Sequence, residues 1–150
     1  MNLSDLATPT PCAYPGMSVR ELFEACVQVQ MPGLPFRDHD GRITGKASIR
    51  HVLKMTALPD YLIQHAELLG DDIRHLRFPE IRCGEILAMT LDQFVLPQLP
   101  RINPEAPVSK ALAYMEQQDT TYIFVIEGDI YYGALSIMSL AQRMLEKACK

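Results

Sequence analysis

Two short segments carry the residue types most suited to binding chemistry. In Gly45-Lys46-Ala47-Ser48-Ile49-Arg50-His51 a hydroxyl stands among two cations and an imidazole, just ahead of the apolar residues Ile49, Val52 and Leu53 at helical spacing. A serine at that place caps the free N–H groups of a helix start, and the same N–H groups attract an anion, so capping and phosphate binding both stay open for Ser48. In Gly133-Ala134-Leu135-Ser136-Ile137-Met138-Ser139 the Gly-x-x-Ser step returns without the cations. Tyr122, Tyr131 and Tyr132 add rings that can stack on a base, although the adjacent Tyr131 and Tyr132 must point to opposite faces of a strand.

Other chemistries find no support in the spacing. The histidines His39, His51, His65 and His75 and the cysteines Cys12, Cys26, Cys83 and Cys149 form no CxxC, HxH or HExxH pattern, so no metal site is expected and the cysteines read as small core residues. No nucleophile has a base at readable distance in sequence, no carboxylates pair, and Gly41 to Ser48 lacks the spacing of a phosphate-binding P-loop. The expectation is a protein that is not an enzyme and requires no cofactor. A net charge of −4 with mixed signs excludes a basic nucleic-acid footprint. With 48% hydrophobic residues but no stretch near the roughly 20 apolar residues of a membrane span, the chain reads as soluble and cytoplasmic.

What must position the two serines is an internal repeat. Residues 33–49 align without a gap on residues 121–137, an offset of 88 that superposes Phe36 on Phe124, Gly45 on Gly133, Ser48 on Ser136 and Ile49 on Ile137. Upstream, with one residue of slippage, Pro15 and Val19 match Pro104 and Val108. Val19, Leu22, Phe23 and Cys26 predict one amphipathic helix, and Val108, Ala111, Leu112 and Met115 predict its counterpart, with Ser18 and Pro107 at their starts. Asp38-His39-Asp40-Gly41 and Glu127-Gly128-Asp129 then predict hairpin turns, the first with the Asp-Gly of a type I′ turn. The apolar run Tyr122 to Ile126 predicts a strand buried on both faces, and Pro35 puts its counterpart at an edge or strand start. A final helix carries Ile137, Leu140, Ala141, Met144, Leu145 and Ala148 along one apolar face. Met89, Met115, Met138 and Met144 read as core gap fillers or as adaptable interface residues.

Short opening strands at Cys12 to Tyr14 and Leu99 to Ile102, each preceded by a helical turn at Leu3/Leu6 and Leu91/Phe94, complete a β-α-β-β-α unit present twice. The domains are expected at 1–56 and 90–150, with a helical connector at 57–89 containing helices over Pro59 to Leu69 and Cys83 to Met89. Each unit alone is near the size at which a single core is marginal, so the two copies are expected to pack together. The fold class is α/β (α+β).

This order, with Gly33-Leu34-Pro35-Phe36, Asp38 to Gly45 and Gly133-Ala134-Leu135-Ser136 as its most telling pieces, resembles a tandem pair of cystathionine β-synthase (CBS) domains. The resemblance implies two repeats packed about a pseudo-two-fold axis, commonly dimerised into a homodimer, with clefts that bind adenosine compounds such as AMP, ATP or S-adenosylmethionine as effectors. It places the ligand's hydroxyl partner at Ser48 and Ser136 and the backbone lining at Gly33, Leu34 and Pro35 in one copy and Thr121, Tyr122 and Ile123 in the other. The family's carboxylate position is occupied by His51 and Ser139, and Arg50 joins the first cation cluster. Since no effector domain is recognisable, an unidentified protein would be regulated in trans. Two readings therefore stand: an adenosine-sensing regulatory module, and a ligand-free interaction or dimerisation module.

Overall fold

The computed structural model describes residues 2–58 and 82–148; the helix expected over Pro59 to Leu69 lies outside them, as does Cys149. The first repeat runs α1 (Leu3–Leu6), α2 (Val19–Val29), β1 (Gly33–Arg37), β2 (Ile43–Ser48) and α3 (Ile49–Ala57). After α4 (Cys83–Leu87) and a 3-10 turn (Leu91–Phe94), the second repeat runs β3 (Arg101–Ile102), α5 (Val108–Gln117), β4 (Tyr122–Glu127), β5 (Ile130–Ser136) and α6 (Ile137–Ala148). The architecture is mixed α+β.

α2 forms where the apolar period requires it. Ser18 accepts the Glu21 N–H (3.1 Å) at its start, Val19, Leu22 and Cys26 are buried, and Gln30 closes it in the left-handed region at φ 56°. In α5 Pro107 occupies the capping position itself, one residue earlier than a first-turn proline, with its φ of −71° already suited to helix entry.

β1 pairs antiparallel with β2, and Ala13 adds a single parallel bridge to Phe36 on the other side. Ala13 donates to the Pro35 carbonyl (2.8 Å) and accepts from Arg37 (2.9 Å). The N–H that Pro35 lacks would point to that same nearly unpaired edge, which is why proline is tolerated there. In the second unit β3 pairs parallel with β4 and β4 antiparallel with β5, so β4 is central and Tyr122 to Ile126 are buried on both faces, as their unbroken apolarity predicts.

The first hairpin corrects the type I′ expectation. Asp38 to Arg42 form a longer loop in which Gly41 alone has positive φ (80°), while the Asp38 side chain accepts the N–H groups of Asp40 and Arg42, both at 2.9 Å. Asp38 can replace a tight turn because its carboxylate supplies the acceptor the backbone would otherwise need. In the second hairpin only Gly128 has positive φ (62°), the pattern of a type II′ turn.

The units exchange segments. Leu3 and Leu6, at the start of the chain, are buried in the core of the second unit with Ile102, Ala111 and Leu135, and Leu3 donates to the Pro104 carbonyl (3.1 Å). Reciprocally, Ile86, Leu91 and Phe94 complete the first unit's core, where Leu91 donates to Met17 (2.7 Å). Thr8 bridges to Ala134 and Leu96 bridges to Lys46, two contacts that coincide under the 88-residue offset. A third apolar cluster joins Met31 and Ile43 of the first unit to Tyr122, Phe124, Ile126 and Ala134 of the second. Arg37 ties the two hairpin tips by donating to the carbonyls of Gly41 (2.6 Å) and Asp129 (3.2 Å).

The apolar faces of α5 and α6 are covered only in part, and not every cysteine is the core residue expected. On the apolar face of α6 Leu140 is buried, whereas Ile137, Ala141, Met144 (71%) and Leu145 (68%) are exposed. Leu112 of α5 is likewise exposed, so α5 and α6 border an apolar groove of about 290 Å³. Met115 is in the second unit's core and Met89 packs against the first unit's, but Met138 and Met144 face outward, because β5 and α1 cover just one edge of α6. Cys26 is a core residue whose thiol burial pushes up to about 12, Cys12 is half-buried, and Cys83 is exposed.

Candidate functional site

The exchanged segments leave two clefts at the junction of the units. The first, about 460 Å³, has Lys46 of β2 on one side and Gln98, Leu99, Tyr114, Gln118 and Thr120 of the second unit on the other. The second, about 530 Å³, is lined by Thr8, Val29 and Met31 of the first unit and Ser136, Met138 and Ser139 of the second. Both volumes fall in the range of about 300–1,000 Å³ typical of small-molecule sites.

The strand-to-helix serines serve first as caps. Ser48 is buried and its Oγ accepts the His51 N–H (3.1 Å). Ser136 accepts the Ser139 N–H (3.1 Å), and Ser139 answers by donating to the Ser136 carbonyl (2.8 Å) and accepting the Ser136 N–H (3.1 Å). That reciprocal arrangement works like a capping box built from two serines. The half-buried Ser136 and Ser139 still reach the second cleft.

The family-implied backbone segments are less open. Gly33, Leu34 and Pro35 are all buried, as is Ile123, while Thr121 is exposed. Tyr122 lies across the units with its hydroxyl 2.5 Å from where a Cβ on Gly33 would stand, and the Ala47 carbonyl oxygen is 2.9 Å from the same point, so a side chain there would force the backbone to shift. The ring packs edge-on against Phe124 (5.7 Å between centroids), and burial pushes its hydroxyl up to about 12. Tyr131 is also committed to packing, against Phe124 and through a 2.6 Å hydrogen bond between its hydroxyl and Thr10; Tyr132 faces solvent.

Lys46 carries the electrostatics of the first cleft. Its ammonium stands 5.8 Å from the centre of the Tyr122 ring, and burial and then the Arg50 charge pull its pKa down. Burial, and then the Lys54 and Lys46 charges, pull the His51 pKa down as well. The structure thus groups Lys46, Arg50 and His51 but seats only Lys46 in the cleft lining, and it adds Tyr114, Gln118 and Thr120, which sequence reasoning did not single out. No spacing signal marked those three, which meet Lys46 only through the packing of the two repeats. Among the described residues there is no cluster of three or more His, Cys, Asp or Glu able to hold a metal ion.

The chain has the fold of a tandem CBS-domain pair. No family model matches the sequence, and no curated protein matches it either. Solved structures do: a CBS domain-containing protein from Bacillus anthracis superposes with a TM-score of 0.67 at 16% identity, covering 98% of this chain and 94% of that one. A CBS domain-containing protein from Kribbella flavida gives 0.66 at 18% identity, covering 97% and 99%. A CBS-domain pair solved in complex with 5′-methylthioadenosine and S-adenosyl-L-methionine gives 0.62 at 13% identity, covering 98% of each chain. Among the described residues no helix is long and apolar enough to cross a membrane.

Proposed function

We propose that this protein is a non-catalytic regulatory module that binds an adenosine-type ligand, such as AMP, ATP or S-adenosylmethionine, in a cleft between its repeats. The observation that carries this reading is the pair of clefts at the unit junction, one of which is lined by Ser136 and Ser139 of one repeat and by Val29 and Met31 of the other. Apolar walls would sandwich a base while hydroxyls meet a ribose, and a ligand spanning both repeats would tighten their packing. The structural neighbour crystallised with two adenosine compounds supports the same class.

The test is thermal unfolding with and without AMP, ATP, S-adenosylmethionine and GMP. A ligand present at 100 times its dissociation constant adds about 2.7 kcal/mol, which raises the melting temperature of a domain this size by roughly 5–10 °C. A melting temperature unmoved by all four sinks the reading.

A second reading has its own observation. Tyr122 covers Gly33, and α6 leaves Ile137, Met138, Met144 and Leu145 exposed, so the chain also fits a homodimerisation module whose helical faces pair. Sedimentation should then give twice the chain mass, and Met144→Glu should halve it; a native chain sedimenting as a monomer removes this reading.

A further inference from the structure

The two clefts are the same place in the two repeats, filled with opposite chemistry. Lys46 corresponds to Ala134, Arg50 to Met138 and His51 to Ser139 under the 88-residue offset, while Gln118 and Thr120 correspond to Val29 and Met31 under the upstream offset. The equivalence is structural as well, because the Lys46–Leu96 and Thr8–Ala134 bridges that edge the two clefts also coincide. One cleft is therefore polar and cationic. The other is bordered by methionines, aliphatics, amides and hydroxyls, with no charged side chain lining it.

Lys46 has no carboxylate partner among the described residues, whose ion pairs are Arg82–Glu85 and Arg143–Glu146. A half-buried ammonium that stands beside a second cation and has no carboxylate partner among the described residues is an unusual arrangement in a chain of net charge −4. It costs desolvation and repulsion, and an incoming anion relieves both.

We propose that the two clefts sort ligands by charge: the Lys46 cleft takes the phosphate-bearing end of a nucleotide, and the Ser136–Ser139 cleft takes an uncharged nucleoside. This rests on the reading of the clefts as adenosine-type ligand sites. Phosphate in the first cleft would meet Lys46 directly and lie within the field of Arg50, with Gln118 and Thr120 able to supply neutral hydrogen bonds. In the second, a phosphate would lose its hydration and gain no cation, whereas a nucleoside would bury its base against Met31, Met138 and Val29.

The experiment is calorimetric titration of the whole chain with AMP, adenosine and pyrophosphate. Lys46→Met keeps the length of the stem and removes the charge, and Lys46→Arg restores the charge; Met138→Arg transplants Arg50 into the second cleft at an exposed position. We expect Lys46→Met to weaken AMP and pyrophosphate by roughly tenfold or more, as the loss of one charge-assisted bond implies, with adenosine within about twofold of the native chain. Lys46→Arg should retain anion binding, and Met138→Arg should add a second equivalent of AMP per chain. AMP binding unchanged in Lys46→Met, or adenosine weakened as much as AMP, overturns the proposal and leaves the adenosine reading standing. Pyrophosphate that binds through Lys46 when neither AMP nor adenosine binds would instead sink the adenosine reading and keep the anion assignment of the first cleft. No binding by any of the three overturns both.

Discussion

Replacing Gly45 with alanine should destabilise the protein by about 3 kcal/mol or more, far beyond the usual cost of a surface substitution. A Cβ at this position would land inside van der Waals contact with the Leu96 carbonyl oxygen and 3.3 Å from Val95 Cγ1. Lys46 and Leu96 exchange two backbone hydrogen bonds of 2.9 Å at this point, so the clash cannot be relieved by a side-chain rotation. The crossing segment would have to leave β2, and it is this segment that connects the first unit's sheet to the second repeat. Gly133 is the equivalent point in the other unit, where a Cβ would stand 2.6 Å from the Thr8 carbonyl and the φ of 146° disfavours any side chain. Gly41→Ala provides the contrast: nothing lies within 4 Å, and only its positive φ resists, at about 1–2 kcal/mol. Urea denaturation of the Gly45→Ala and Gly41→Ala variants checks the order. Gly45→Ala costing no more than Gly41→Ala would mean that the crossing contact contributes little to the fold.

Leu3→Ala should cost about 2–5 kcal/mol, as fully buried leucines do, although residue 3 stands at the edge of the sequence where truncation is ordinarily tolerated. Leu3 is wholly buried in the second unit's core. The damage should therefore appear far away in sequence. Hydrogen exchange should accelerate first in Ile123 to Val125 of β4 and leave Leu34 to Phe36 of β1 comparatively protected. Leu91→Ala, at the position offset by 88, should do the reverse, because Leu91 is buried with Leu22, Leu34 and Val52 in the first unit. If Leu3→Ala loosens β1 before β4, the exchange of α1 between units is not what holds the second core together.

The repeat and its elements were legible because each has a local cause. Period-3.6 apolar residues place α2 and α5, an unbroken apolar run marks the central strand β4, and a serine before an apolar helix predicts the caps at Ser18 and Ser48. The first turn was misread because Asp-Gly suits a two-residue hairpin, while Asp38, three residues before Gly41, supplies acceptors that stabilise a longer loop. The apolar face of α6 was legible, but how much of it is covered was not. Periodicity reports that a helix has an apolar side, and it carries no information on whether anything covers that side.

The candidate site was legible in part. Ser48, Arg50, His51, Ser136 and Ser139 stand at the strand-to-helix junctions, and Ser136 and Ser139 line a cleft. Lys46, Gln118 and Thr120 became visible as one site only when the units were packed, since they lie some 70 residues apart on different repeats. Conversely, Gly33, Leu34 and Pro35 are buried, and Gly33 stands against a Tyr122 that sequence reasoning could place only as a buried strand residue.

By itself the sequence determined the repeat, the helices and hairpin strands of each copy, and that their Gly-x-x-Ser steps differ in charge. These are properties of spacing and residue type, set by contacts a few residues apart. The opening strand expected at Cys12 to Tyr14 is reduced to the single Ala13–Phe36 bridge. Which unit a segment belongs to was decided by tertiary structure alone. The apolar character of Leu3 and Leu6 does not specify which core they enter; the crossing backbone at Thr8 and Leu96, admitted by the missing Cβ atoms of Gly133 and Gly45, takes each leading turn to the opposite unit and leaves the two clefts between them.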